Sequence, residues 1–118
     1  MTTGDPPAFD DLQRGHVVLA PDPFGRDDDA TRPWVVANRP THPFHGQQYV
    51  VLTLTTRTWY DERVPLSNDD YVHRAAPEEC AIVPHAPASL QPRLATEYVC
   101  RVQADPVDRA VELLYEYL

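Results

Sequence analysis

The sequence contains no lysine, so all 10 of its basic residues are arginines, compared with 18 acidic residues, and the formal net charge is −8. This balance excludes a nucleic-acid binder that works through diffuse positive charge, because phosphate backbones are attracted by basic surfaces. A strongly acidic surface is tolerated at very high salt, where the Debye length falls to about 3 Å at 1 M and self-repulsion is screened. The composition therefore indicates a halophilic cytoplasm, with an ordinary acidic protein as the alternative.

Long apolar runs and closely spaced cysteines are missing as well. No run approaches a membrane span, and the first residues offer neither the basic start nor the apolar core of a signal peptide, which predicts a soluble cytoplasmic protein without membrane contact. The two cysteines, Cys80 and Cys100, show no CxxC spacing, so neither a zinc ribbon nor a disulfide scaffold is indicated. We expect buried free thiols, and a bridge between them is the less favoured alternative.

What the sequence does contain is a series of short apolar segments, separated by 13 prolines and by polar turns. These segments predict strands at residues 16–20, 34–37, 48–56, 63–66, 80–83 and 97–102. The segment 48–56 alternates most clearly, and it gathers hydroxyls and a guanidinium at one end of one face, from Thr53, Thr55 and Arg57. Residues 21–31, rich in proline, glycine and aspartate, predict a mobile loop.

One amphipathic helix is predicted at the end of the sequence. Asp105 can cap it and Pro106 suits its first position. Apolar residues then recur at helical spacing, namely Val107, Ala110, Val111, Leu114 and Leu118. Residues 1–13 predict an arm or a short helical turn outside the core. Residues 14–118 are thus expected to form one mainly β domain, a small barrel or sandwich with a C-terminal helix.

Several motifs occur in a specific order: ArgGlyHisValValLeuAla at 14–20, ThrArgProTrpValVal at 31–36, ValValLeuThrLeuThrThr at 50–56, CysAlaIleVal at 80–83 and the closing helix. In order and spacing they resemble the MazF/PemK family of toxin endoribonucleases, over nearly all of residues 14–118. The resemblance implies a small SH3-like antiparallel barrel, similar to MazF and CcdB, that forms a homodimer. It also implies the toxin of a type II toxin–antitoxin pair, which cuts single-stranded RNA without a metal or other cofactor and is bound by a cognate antitoxin.

On the family pattern, Arg32 matches the catalytic arginine and Thr55 matches the catalytic threonine, while the loop at 21–31 matches a mobile flap. In metal-free RNA cleavage the 2′-hydroxyl attacks the adjacent phosphate and gives a 2′,3′-cyclic phosphate, so the protein must orient the phosphate and neutralise charge on its oxygens. A guanidinium stays protonated and offers a planar fork of donors, which suits Arg32 to that task. The alternative is a strand-edge charge at Arg32 and a simple β-forming residue at Thr55.

Five further residues are candidates for RNA contacts. Trp59 and Tyr60 follow Arg57 closely and can stack on bases, or they form a hydrophobic plug at a strand end. His16 and His85 suit acid–base or phosphate contacts because imidazole titrates near physiological pH, although a lone histidine is more often structural or solvated. No HExxH, CxxC or P-loop pattern occurs, so no metal site is predicted.

The sequence departs from the family pattern at three positions. His16 follows the Arg-Gly pair where an acid is common, and alanines at Ala86 and Ala88 replace a glutamine and a basic residue. These losses keep two alternatives open: a catalytically silent binding or regulatory module, and a CcdB-like gyrase inhibitor, because a fold does not fix a target. An acidic antitoxin is expected to contact the few local arginines, namely Arg32, Arg57 and Arg63.

Overall fold

The computed structural model describes residues 7–21, 31–56, 63–72 and 80–118. Within these ranges lie seven strands and one α-helix: β1 (His16–Pro21), β2 (Thr31–Val36), β3 (Tyr49–Thr55), β4 (Val64–Pro65), β5 (Ala81–Ile82), β6 (Ala88–Leu90), β7 (Glu97–Arg101) and α1 (Ala104–Tyr117). Short 3-10 turns occupy Phe9–Asp11, Asn68–Asp70 and Pro92–Leu94. In these described ranges no helix is long and apolar enough to span a membrane.

The strands form one antiparallel sheet in the order β4-β5-β3-β2-β1-β7, and β6 pairs with β3 at the end that β5 leaves uncovered. The mainly β architecture with a C-terminal helix is therefore confirmed. Within the described residues the sheet does not close on itself, because β4 and β7 form its two edges. The strand β1 shifts register against β7 between Val17 and Val18, which marks a bulge in that pairing.

Both faces of the sheet are buried, each by its own cluster of apolar side chains. The helix-side cluster lies under α1 and consists of Val17, Val35, Ala37, Leu52, Leu54, Val64, Leu66, Ile82, Cys100, Val102, Val107 and Ala110. The opposite cluster covers the other face and consists of Leu12, Val18, Ala20, Trp34, Val36, Tyr49, Val51, Leu90 and Ala95. Alternate residues of one strand enter different clusters, which explains why β1 and β3 are apolar on both faces.

The Arg14-Gly15 pair fixes α1 against the sheet. Gly15 has a φ of +98°, and a Cβ at this position would lie 2.5 Å from the carbonyl oxygen of Val102, so a larger residue cannot be accommodated. The guanidinium of Arg14 donates to the carbonyl of Ala37 at 2.8 Å through Nη1 and to Asp108 of α1 through Nη2. The pair therefore has a structural role that its place in the sequence did not reveal.

The N-terminal turn is part of the core rather than an arm outside it. Leu12 is fully buried in the opposite cluster. The hydroxyl of Tyr49 donates to the carbonyl of Phe9 at 2.8 Å and accepts from the amide of Leu12 at 3.1 Å. Burial raises the pKa of Tyr49, against the lowering effect of the Leu12 bond. The expectation of an arm outside the core is wrong for Leu12, and a domain boundary at residues 13 and 14 stays a prediction.

Other boundaries also differ from those expected. The strand β2 begins at Thr31, three residues earlier than predicted, because it pairs with β1 as far as Pro21. The helix α1 begins at Ala104 with Gln103 as its N-cap, so Asp105 lies in the first turn instead of capping it. Leu118 is 92 % exposed and does not continue the buried stripe of the helix. Cys80 and Cys100 are thiols that form no disulfide, as expected, and Cys100 is buried whereas Cys80 is half-buried.

Candidate active site

The register of β2 and β3 relates Arg32 to Thr55. The observed pairs are Val36 with Val51, Val35 with Leu52 and Trp34 with Thr53. If this register continued by two residues, Arg32 would be opposite Thr55, and opposite residues in a continuous ladder have Cβ atoms about 4.5–5.5 Å apart. The two residues predicted from the family pattern thus lie on neighbouring strands, each two residues beyond the last observed pair of β2 with β3.

Arg32 and Thr55 also share a face of the sheet. Because side chains alternate along a strand, Arg32 lies on the face of Trp34, and Thr55 on that of Thr53. Trp34 is in the opposite cluster, so this is the face turned away from α1. Thr53 and Thr55 are only 7 % and 5 % exposed, whereas Arg32 is half-buried. A charged group therefore lies at the margin of an apolar surface, where electrostatic interactions are screened less than in open water.

The pairing of β2 with β3 ends just before this point. The amide of Ala37 donates to the carbonyl of Val50 at 2.8 Å, so the bonded positions of β2 alternate through residues 37, 35 and 33. Pro33 has no N–H to donate to β3. The ladder accordingly ends at Trp34, although β2 continues to pair with β1 as far as Thr31.

A second guanidinium belongs to the same face. The strand β4 pairs with β5 through Val64 and Ile82, and one further step sets Arg63 at the level of Val83. The amide of Val83 donates to the carbonyl of Thr53 at 2.9 Å. Arg63, Val83 and Thr53 therefore form one row across the sheet, in which Arg63 is two strands away from Thr53. Its Nε atom is buried and has no hydrogen-bond partner among the atoms of the structure.

His16 lies at the far end of the sheet from Arg32. It begins β1, while Ala20, four residues along the same strand, is the partner of Arg32. The imidazole is 9 % exposed, makes an edge contact with the ring of Tyr98, and accepts the amide N–H of Gln13 on Nδ1 at 2.9 Å. An accepting Nδ1 carries no proton, so this imidazole is neutral with its hydrogen on Nε2. The structure therefore does not bring His16 to the candidate site.

His85 is exposed in the bend between β5 and β6. This connection runs along the side of β3 that faces away from β2, so His85 is separated from Arg32 by that strand. Ala88 pairs with Val51 and packs against the opposite cluster, which gives its small side chain a packing role. Ala86 is half-buried.

The remaining predicted contacts, Arg57, Trp59 and Tyr60, lie outside the described residues, as does nearly all of the loop predicted at 21–31. Among the residues that are described, no group of three or more histidine, cysteine, aspartate or glutamate side chains could hold a metal ion. In the sequence, Thr53 stands with Thr55 among the hydroxyls of one strand face and has no predicted role of its own. The one sequence feature that indicates a role for Thr53 is Pro33, a proline just before the neighbouring predicted strand, which cannot donate a backbone hydrogen bond.

Comparison with solved structures shows that the chain has the fold of MazF endoribonucleases. MazF from Deinococcus radiodurans aligns with a TM-score of 0.69 at 18 % identity, over 90 % of this chain and 94 % of that chain. An endoribonuclease in complex with its cognate antitoxin, from a mycobacterial species, aligns with a TM-score of 0.68 at 18 % identity, over 90 % and 93 %. The MazE-MazF structure from D. radiodurans aligns with a TM-score of 0.64 at 18 % identity, over 90 % and 93 %.

No protein-family model matches the sequence, and no curated protein sequence does so either. At this identity the structural likeness establishes the fold alone.

Proposed function

We propose that this chain is a toxin of the MazF family, an endoribonuclease that cleaves single-stranded RNA. The observation that supports this most directly is the β2–β3 register, observed as far as Trp34 with Thr53, because its continuation by two residues would bring Arg32 opposite Thr55. The fold shared with MazF endoribonucleases along 90 % of the chain supports the same activity.

In the proposed reaction the 2′-hydroxyl of the substrate attacks the neighbouring phosphorus, and the 5′-oxygen leaves. The products are a 2′,3′-cyclic phosphate and a 5′-hydroxyl end. Arg32 donates two parallel hydrogen bonds to the nonbridging phosphate oxygens, whose charge increases in the transition state. The hydroxyl of Thr55 orients the attacking oxygen or one of those phosphate oxygens. The reaction is proposed to need no metal, because a fixed guanidinium supplies the positive charge.

Arg63 is suited to bind the phosphate of a neighbouring nucleotide. It belongs to the same row as Thr53, and its buried Nε has no hydrogen-bond partner among the described residues. Arg63 is two strands away from Thr53, and at the usual strand spacing this is a distance of about 9–10 Å between the strands β4 and β3. With a net charge of −8, the protein repels RNA at long range, so these local arginines and high salt are proposed to make binding feasible.

The proposed partner is a cognate antitoxin, by analogy with the complexes of the structural neighbours. Acidic residues of such an antitoxin would contact Arg32 and Arg63. We also propose that the protein is a cytoplasmic homodimer, and that His85, Arg57, Trp59 and Tyr60 contact RNA. His16, being buried and neutral, is the weakest of the proposed RNA contacts.

The test is expression of the wild type, Arg32→Ala and a control, Arg109→Ala, followed by mapping of RNA 5′-hydroxyl ends in high salt. Arg109 is exposed on α1, on the other side of the sheet, so its variant matches the charge change without touching the site. We expect growth arrest and new 5′-hydroxyl ends from the wild type and the control, and none from Arg32→Ala. A wild type that produces no new ends would identify a silent module or a toxin with another target. Undiminished cleavage by Arg32→Ala would refute only the site.

A further inference from the structure

Pro33 leaves a gap in the hydrogen bonding between β2 and β3 beside the candidate site. In the observed register, residue 33 is the next bonded position of β2 after residues 37 and 35, and its partner is Leu54. A residue with an N–H at position 33 would donate to the carbonyl of Leu54. Proline cannot, so this buried strand loses one bond between the strands that carry Arg32 and Thr55.

The hydroxyl of Thr53 occupies this gap. Its Oγ1 lies 3.2 Å from the carbonyl oxygen of Pro33 and 3.2 Å from that of Leu54. One hydroxyl proton is thus shared by two acceptors, which fits separations longer than the usual 2.7–2.8 Å or so. One acceptor belongs to the residue after Arg32 and the other to the residue before Thr55. The residue Thr53 is only 7 % exposed, so water competes weakly for the hydrogen bonds of its hydroxyl.

We propose that Thr53 is a positioning residue whose hydroxyl replaces the missing ladder bond at Pro33 and so sets the separation of Arg32 from Thr55. This role rests on the proposed nuclease function. The pre-proline position restricts the backbone of Arg32 to extended conformations, and the Thr53 bond then anchors that backbone to β3. In this proposal they together hold a guanidinium and a hydroxyl at a fixed spacing, just beyond the last observed pair of β2 with β3.

The test compares Thr53→Val with Thr53→Ser, each in the wild-type and in a Pro33→Ala background. Valine keeps the β-branched shape and lacks the hydroxyl, while serine keeps the hydroxyl. Because small misplacements of reacting groups cost rate rather than affinity, we expect Thr53→Val to lower kcat about 10-fold with KM nearly unchanged. Thr53→Ser should restore most of the rate. In the Pro33→Ala background the new N–H can donate to Leu54, so the same valine substitution should lower kcat by less than about 3-fold.

A second measurement does not depend on activity. The N–H of Leu54 faces β2 in this register, so its hydrogen exchange, followed by NMR, reports separation of the two strands. We expect faster exchange in Thr53→Val and near wild-type exchange when Pro33→Ala is added. Equal losses of kcat in both backgrounds, or unchanged Leu54 exchange in Thr53→Val, would overturn the proposal. If the wild type does not cleave RNA, the nuclease function fails, and the exchange of Leu54 alone decides whether Thr53 holds the strands.

Discussion

The two faces of the sheet use arginine differently. On the helix side, Arg14 is bonded to the carbonyl of Ala37 and to Asp108, and both contacts fix α1 to the sheet. On the opposite face, Arg32 lies past the last pair of β2 with β3 and level with Thr55. Each arginine belongs to a short motif with a neighbouring glycine or proline, and the motifs look alike in the sequence. The contacts of Arg14 show that it joins α1 to the sheet, whereas the proposed role of Arg32 is to bind a phosphate.

This difference implies that stability and activity can be changed separately. Among the described residues, the helix-side cluster contains twelve buried side chains, and all of them are apolar. The opposite face combines an apolar cluster with threonines and arginines at one end. Substitutions on the first face are expected to change the free energy of unfolding, and those at the polar end of the second are expected to change RNA cleavage.

The largest effect is expected for Arg32→Ala in a purified cleavage assay. Removing one preorganised donor to a developing oxyanion costs about 10²–10³-fold in kcat. Arg32→Lys should recover only part of this, because an ammonium cannot bind two phosphate oxygens in a planar fork. Thermal unfolding should be close to wild type for both. A large fall in melting temperature for Arg32→Ala would show that Arg32 is structural, like Arg14, and would remove the contrast between the two faces.

Gly15→Ala is expected to have the next largest effect, on stability. A positive φ costs an L-residue roughly 1–2 kcal/mol, and the added Cβ would meet the Val102 carbonyl, so we expect a loss of about 3 kcal/mol. Chemical denaturation measures this loss. Gly46→Ala is a matched control, because Gly46 also has a positive φ, of +92°, but its Cβ would lie 3.1 Å from the nearest atom, the Asp10 carbonyl oxygen. Equal losses at both glycines would mean that backbone strain alone, not the contact with Val102, sets the cost.

Arg14→Met tests the link between α1 and the sheet. Methionine keeps much of the apolar stem, so the change removes mainly the two polar contacts. We expect a loss of about 1 kcal/mol in the free energy of unfolding, kept small because the side chain of Asp108 is 46 % exposed and solvent screens the pair. Specific cleavage activity should be unchanged. Activity that falls while stability does not would contradict the structural role assigned to Arg14.

The smallest effect is expected for Tyr71→Phe. Tyr71 packs against the helix-side cluster, and its buried hydroxyl oxygen has no hydrogen-bond partner among the described residues, so its removal should change stability at neutral pH by less than about 1 kcal/mol. Burial, and secondarily the nearby Cys80, raises the pKa of Tyr71 above its ordinary value of 10.0. Its neutral form therefore favours the fold below that value, and this contribution is lost as the pH rises further.

Melting temperatures of Tyr71→Phe and the wild type at neutral pH and at about pH 11 measure this alkaline loss. The phenylalanine variant should lose less stability than the wild type on this change of pH. Tyr115→Phe is the control, because Tyr115 is 79 % exposed and should leave the alkaline loss unchanged. If both variants behave alike, burial of the Tyr71 hydroxyl is not the cause.

The sequence allowed prediction of those elements that carry their own pattern. The first strand was expected at 16–20 and occupies His16–Pro21, and the third was expected at 48–56 and occupies Tyr49–Thr55. In contrast, β6 was not predicted, because its three residues follow a proline-rich stretch and form a strand only by pairing with β3. The early start of β2 likewise depends on its pairing with β1. Contacts between distant segments, which no local pattern records, decide both.

The same limit applies to the candidate site. The motifs predict a role for Arg32 and Thr55, and the structure places them on the neighbouring strands β2 and β3, beyond the last observed pair. Nothing in the local sequence could show that His16 is buried with an accepting Nδ1, because its bond comes from the backbone of Gln13. Nor could it show that the Thr53 hydroxyl reaches Pro33, twenty residues earlier in the chain. Residue type suggests which chemical roles to propose, whereas it does not show which side chains lie close together.

The bond between the N-terminal turn and Tyr49 has a consequence for β3 as a whole. A strand that slips by one residue sends every side chain to the other face. Such a slip would carry the ring of Tyr49 under α1 and separate its hydroxyl from Phe9 and Leu12. The turn thus fixes the register of β3 through these two hydrogen bonds. Thr55 lies at the other end of the same strand. A contact made by the first described residues of the chain thereby keeps a hydroxyl aligned with Arg32 at the opposite end of the strand.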